Sequence, residues 1–238
     1  MTIPIPDITF TVIALTIAVV IAAYSWRRLP VLSVIMVGWA VLSLLMARIP
    51  FFQNAEDPSG DAIGFIAFNV ASLLPIICLF VASRRSAAFK QFLAETPTWV
   101  LTVTQLYRIS GASLLVYYSQ GLLPAEIGVS NAVQDIFIGV TALPVAWALY
   151  RGFSWSRNLA IIWNIVGLFD FVSAAAVLSL SNMGAIELSP APTLMGMYPL
   201  SLITLYQVAI AIFIHIYLLQ RLFGNPTGTT VQANPQAS

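Results

Sequence analysis

The chain has 238 residues, 59% of them hydrophobic and 8% charged, with 10 basic and 9 acidic side chains for a formal net charge of +1 and a mean hydropathy of +0.90. Soluble domains carry about 25% charged residues, so this chain cannot cover a water-facing surface. The composition excludes a secreted disulfide scaffold, a disordered regulator and a nucleic-acid binder, and a single cysteine, Cys78, permits no internal disulfide. What remains is an all-α polytopic membrane helix bundle: one transmembrane domain over residues 1–223 and a tail over 224–238.

A spanning helix needs about 20 apolar residues. The first qualifying stretch, residues 8–26, has no basic segment before it, and Arg27 and Arg28 follow it. A cleaved signal has the opposite polarity, so this is read as a retained helix. The second, residues 31–46, is the shortest, with 49–52 as its candidate extension. The third, residues 62–83, carries a weak polar stripe at Asn69 and Ser72, an internal Pro75, and Cys78, expected in the core. Residues 84–97 set Phe89, Phe92 and Leu93 among charges, the pattern of a segment lying in the membrane interface. The fourth, fifth and sixth stretches are residues 98–118, 132–150 (with Pro144) and 159–180. An ordered external loop, 181–199, precedes the seventh, residues 200–222. The Gly-, Pro-, Thr-, Gln- and Asn-rich tail has no apolar period and is expected to be disordered.

Charge alternates along this order. Arg27, Arg28, Arg84, Arg85, Lys90, Arg151, Arg157 and Arg221 fall on one side, and Asp7, Glu56, Asp57, Asp61, Glu126 and Glu187 on the other. The positive-inside rule then puts the N-terminus outside and the C-terminus in the cytoplasm across seven spans. Trp26, Trp99, Tyr118, Tyr150 and Tyr198 near the span ends fit aromatic belts, and Arg48 is placed to snorkel.

Three charges fall inside spans: Arg108 and Asp170 near the middle of the fourth and sixth, and Asp135 about a turn into the fifth. Each costs about 2.5–3.5 kcal/mol at mid-membrane on insertion scales. They are expected to face the bundle interior and pair, since Arg108 and Asp170 lie at similar depths. Helical spacing groups Thr104, Gln105, Arg108, Gly111 and Ala112 on one face, Asn131, Asp135, Gly139 and Ala142 on another, and Trp163, Gly167, Asp170 and Ala174 on a third. These stripes have the small-residue composition of helix interfaces in lipid. Gln207, Ala211 and His215 line one face of the seventh span. His215 is expected as an interfacial histidine near the cytoplasmic end, with a proton relay as the alternative. Pro75 and Pro144 are candidates to free backbone carbonyls toward the centre.

Several chemistries lack their residues. The one lysine, Lys90, lies in a loop, which excludes a retinal Schiff base in the last helix, and one histidine excludes bis-histidine haem. His215 and Cys78 alone do not make a zinc site. No cofactor is implied. The shared proton of a two-aspartate protease conflicts with a guanidinium beside both Asp135 and Asp170.

The run Gln105-Leu106-Tyr107-Arg108 with Gly111, then Leu123-Pro124, Asp135 with Pro144, Trp163-Asn164 with Gly167 and Asp170, and finally Pro199 and His215, resembles a widespread group of uncharacterised bacterial seven-helix integral membrane proteins. The resemblance covers residues 98–222 and departs at Gln134, where the group has glycine, and at Gln207, where it often has proline. It implies a helical membrane fold in the bacterial inner membrane and no reaction.

Three functions compete. In the first, Arg108, Asp135, Asp170, Gln105, Tyr107, Asn164, Trp163 and Gln207 build a site that binds, transports or senses a small polar or anionic ligand or an ion, with His215 as a relay and Tyr107, Trp163 and Tyr206 as walls. In the second, the chain is a structural or assembly subunit for another membrane protein, and the polar network only holds the bundle. The third, a lipid-modifying enzyme, lacks a clustered nucleophile or metal set. The partners expected are the lipid bilayer and either a small ligand or a membrane protein; nucleic acid is not among them.

Overall fold

The computed structural model describes residues 6–53 and 62–224. Expectations for Glu56, Asp57 and Asp61 and for residues 225–238 lie outside the described residues. The fold is all-helical, with no strand among the described residues. That follows from the composition. Segments this apolar must satisfy their own backbone N–H and C=O groups, and a helix does so within itself.

Helices α1 (Pro6–Ser25) and α2 (Pro30–Met46) form an antiparallel hairpin. Ser25 and Ser33 hydroxyls meet across it at 2.7 Å, and Ser33 also donates to the Ala22 carbonyl at 3.0 Å. α2 stops at Met46, and α3 (Pro50–Gln53) is a separate short turn, so the second stretch does not continue as one helix through 49–52. Pro50 explains the break, because its ring disfavours helical backbone at the residue before it. α4 (Ala62–Arg85) contains Pro75. α5 (Ala87–Glu95) starts at Ser86, whose hydroxyl accepts from the Phe89 N–H at 3.2 Å.

The fourth predicted span is a helical path in three pieces of 6, 8 and 8 residues: α6 (Thr98–Val103), a 3-10 segment (Thr104–Gly111) and α7 (Ala112–Ser119). α8 (Ala125–Gly128) leads into α9 (Ser130–Arg151), which ends at Gly152 with a left-handed φ of 66°. α10 (Ser156–Asn182) follows. The next connection contains a 3-10 turn, Pro192–Gly196, with Leu188 and Met195 buried. A π-helical turn (Ile203–Gln207) then opens into α11 (Val208–Gly224).

Among the described residues, five helices are long and apolar enough to cross a membrane: Ile8–Ser25, Ile66–Arg85, Ala125–Arg151, Ser156–Asn182 and Ile203–Gly224. Pro30–Met46 is a shorter apolar helix. Burial runs opposite to that of a soluble protein. Ile8, Val34, Ile63, Phe169 and Val172 are 64–67% exposed, whereas Gln105, Asn164 and His215 are fully buried. α9 packs most extensively on the 3-10 segment, and α10 and α11 pack on each other beside it.

Three local expectations change. Cys78 is exposed, because it lies on the outward face of α4 with Leu74, Ile77 and Val81. Asn69 is on that helix's exposed side while Ser72 is buried, so they do not form a common inward stripe. The apolar face of α5 packs on the protein itself: Phe89 stacks on Phe213 at 6.0 Å and Phe92 meets Tyr24 edge-on at 5.9 Å.

Candidate functional site

The 3-10 segment sets the geometry of the centre. With three residues per turn, side chains at i and i+3 eclipse. The buried positions accordingly run Thr102, Gln105, Arg108, Gly111, Leu114 and Tyr117. This differs from the face expected at a period of 3.6. Thr104 is only half-buried and Ala112 is exposed, because the tighter winding rotates both away.

Two glycines let α9 reach this segment. A Cβ on Gly139 would sit 2.6 Å from the Ile109 backbone nitrogen, and one on Gly111 would sit 2.8 Å from Asp135 Oδ2. Close backbone approach of this kind is what small residues permit between apolar helices. A third glycine, Gly167 on α10, leaves room for the His215 imidazole: an added Cβ would lie 2.6 Å from its Nε2.

Into this space Arg108 projects, 2% exposed. Its Nε donates to Asp135 Oδ1 at 2.6 Å, and its Nη2 donates to Asp170 Oδ2. Nη1 lies 3.2 Å from His215 Nε2 and 3.5 Å from the Gly167 carbonyl. Phe171 lies under the guanidinium, its centroid 4.4 Å from Cζ. All three nitrogens are therefore engaged by the protein.

The tautomer of His215 follows from chemistry. A guanidinium only donates, so Nε2 must accept and the proton sits on Nδ1. Nδ1 is 2.8 Å from Asn164 Oδ1, which completes the chain as an acceptor. Asn164 Nδ2 donates to the Ala160 carbonyl at 2.7 Å, fixing which way the amide points. Trp163 packs 5.2 Å from the imidazole and donates from its indole to Thr141 at 2.9 Å.

His215 is thus fully buried inside the protein, within the Arg108 network. Its position follows from packing: Gly167 on α10 leaves space for the imidazole between Arg108, Asn164 and Trp163. Arg108, Asp135, Asp170, Asn164, Trp163 and His215 come together around one guanidinium. Tyr107 and Gln207 lie beside them, the Tyr107 hydroxyl donating to the Gln207 carbonyl at 3.0 Å. Gln105 is buried one 3-10 turn below Arg108. Tyr206 bonds away from the centre, to the Met36 carbonyl at 3.3 Å. Phe171 and the Gly167 carbonyl join the site without a signal in the sequence. No spacing distinguishes Phe171 from the chain's other phenylalanines, and a backbone carbonyl carries no sequence signal.

The space at the centre is small. A crevice of about 20 Å³ borders Arg108, Gly111, Asp135, Phe171 and Gln207. A cavity needs roughly 10–15 Å³ to hold one water, so this one admits an occupant of that size. Three buried side chains here have unpartnered polar atoms: Gln207 Nε2 at the crevice, Asp170 Oδ1, and both ends of the Gln105 amide. Such groups cost about 1–3 kcal/mol each when left unpaired. Among the described residues, no group of three or more His, Cys, Asp and Glu side chains is placed to hold a metal ion.

At the periphery, Arg48 is exposed and stacks 4.7 Å over the Tyr198 ring, donating to its hydroxyl at 3.2 Å. Pro144 is exposed and Pro75 buried within their helices.

Residues 65–223 match the model of a family described as a domain of unknown function, DUF8737. The match spans more than half of the chain, which belongs to this family. No curated protein and no solved structure matches it.

Proposed function

For this member of a family without an assigned activity, we propose a multi-pass membrane protein whose polar centre binds a unit positive charge, carried as a proton or a small monovalent cation. The carrying observation is the charge count at Arg108. One guanidinium faces two carboxylates, with a neutral imidazole as the remaining neighbour. With both carboxylates ionised the group has an excess negative charge in a medium that penalises it. The crevice touching Asp135 and Gln207 has room for a water-sized occupant and no more. A larger anionic ligand fits this centre poorly, because Arg108 already spends its nitrogens on protein acceptors.

The membrane placement draws on the outward valines, isoleucines and phenylalanines, since water-soluble monomers rarely expose apolar patches beyond a few hundred Å². We read seven crossings in the bacterial inner membrane, N-terminus outside. The three-piece path of residues 98–119 then spans about 37 Å, at ~1.5 Å per α-helical and ~2.0 Å per 3-10 residue. That exceeds the ~30 Å hydrocarbon core.

A second reading, a structural or assembly subunit, draws on the glycine contacts that lock α9 onto the 3-10 segment. Thermal unfolding of the purified protein in mild detergent separates the two. Across pH and in sodium against choline chloride, the midpoint is expected to shift, and Asp135→Asn is expected to remove that dependence while still folding. A folded Asp135→Asn protein that keeps the wild-type dependence leaves the network as a scaffold only.

A further inference from the structure

A far larger cavity, about 500 Å³, lies on the other side of the 3-10 segment. Its walls are apolar: Ile17 of α1, Leu79 of α4, Phe89 of α5, Leu106, and Phe213 of α11. Along α1 it runs from Thr16 to Tyr24, about 12 Å at ~1.5 Å per residue. An apolar lining of this kind suits a hydrocarbon chain.

One end of it is basic. Tyr24 lines the cavity, and Arg28 Nη1 reaches its hydroxyl at 3.2 Å. Arg27 and Arg28 follow α1, Arg84 and Arg85 close α4, and Lys90 stands on α5 beside the cavity-lining Phe89; all are exposed. Arg221 comes to the same end, donating to the Thr96 carbonyl at 2.6 Å, and Thr96 is also in the lining. The acid on α5, Glu95, is bonded by Gln91 at 2.8 Å.

We propose that this cavity holds one acyl chain of an anionic phospholipid, with the headgroup against Arg28 and Lys90. Tyr107 forms the inner end of the site and also borders the polar crevice, so the lipid chain and the Arg108 centre share one side chain as a wall. The inference rests on the bilayer placement proposed above and is independent of what the polar centre binds.

The test uses the full chain in mild non-ionic detergent with added dioleoyl-phosphatidylglycerol or dioleoyl-phosphatidylcholine, reading the unfolding midpoint. Phosphatidylglycerol is expected to raise the midpoint more than phosphatidylcholine, as binding to the native state requires. Val103→Trp, which fills the cavity, is expected to lose the response; Leu106→Phe serves if that variant does not fold. Arg28→Gln combined with Lys90→Gln is expected to make the two lipids equivalent. Equal response to both lipids in the wild type, or a folded cavity-filled variant that still responds, overturns the proposal, as does a stoichiometric polypeptide seated there in place of lipid. A chain released from membranes by alkaline carbonate sinks the bilayer placement instead; one that is retained but indifferent to phosphatidylglycerol sinks the lipid site alone.

Discussion

Tyr107 and Arg108 are consecutive residues of one 3-10 segment, yet they face opposite kinds of space. On the Arg108 side the nitrogens find acceptors, glycines bring backbones into contact, and about 20 Å³ is left over. On the Tyr107 side about 500 Å³ stays open between ring-bearing and aliphatic walls. The difference teaches what each chemistry tolerates. A buried charge without partners is expensive, so its surroundings close tightly. An apolar void loses only dispersion contacts and can accept an apolar guest.

The sharpest way to break this contrast is to remove the guanidinium. Arg108→Gln leaves two buried carboxylates facing each other and is expected to cost about 3–5 kcal/mol, read as a lowered midpoint in detergent. Adding Asp135→Asn and Asp170→Asn should recover much of the loss, because no unpaired charge then remains. A single variant that melts like the wild type contradicts the tight side of the comparison.

Crowding the same side comes next. Gly139→Ala pushes a methyl into the Ile109 backbone and is expected to destabilise by about 1–3 kcal/mol. Gly38→Ala on α2, with nothing within 4 Å, is expected to be neutral or to stabilise by up to ~1 kcal/mol. Equal effects at the two glycines dissolve the packing argument.

Smaller still is Tyr107→Phe, which removes the donor to the Gln207 carbonyl and keeps the ring as a wall; about 1 kcal/mol is expected by the same measurement. Smallest is Cys78→Ser on the outward face of α4, expected to change stability by less than ~0.5 kcal/mol.

The legible part of the molecule was the part written in residue type. Charges too costly to leave in lipid identified Arg108, Asp135 and Asp170, and they meet in the structure. The glycines flanking them were visible as stripes of small residues. What was not legible depends on backbone winding. The 3-10 segment keeps Gln105, Arg108 and Gly111 on the buried line but turns Thr104 and Ala112 off it, and nothing in its composition announces a period of 3.0. The π-turn at Ile203–Gln207 is similar: it stands where the resembling group often has proline, and only the backbone reveals it. His215 is buried in the polar network because Gly167 on a neighbouring helix makes room for it, a pairing between helices that no single-helix pattern reveals. The apolar cavity was invisible, since a void between well-formed helices leaves no mark in the pattern of any one of them.

The central claim is that a buried guanidinium donates to His215 Nε2 within a closed network, and His215 is the only histidine in the chain. ¹⁵N-histidine NMR of the purified protein reads that residue alone. The expected spectrum has one proton-bearing nitrogen, Nδ1, and one unprotonated, hydrogen-bond-accepting Nε2, with the accepting signature lost in Arg108→Gln. A proton on Nε2, or an imidazole averaging between tautomers in the wild type, contradicts the account.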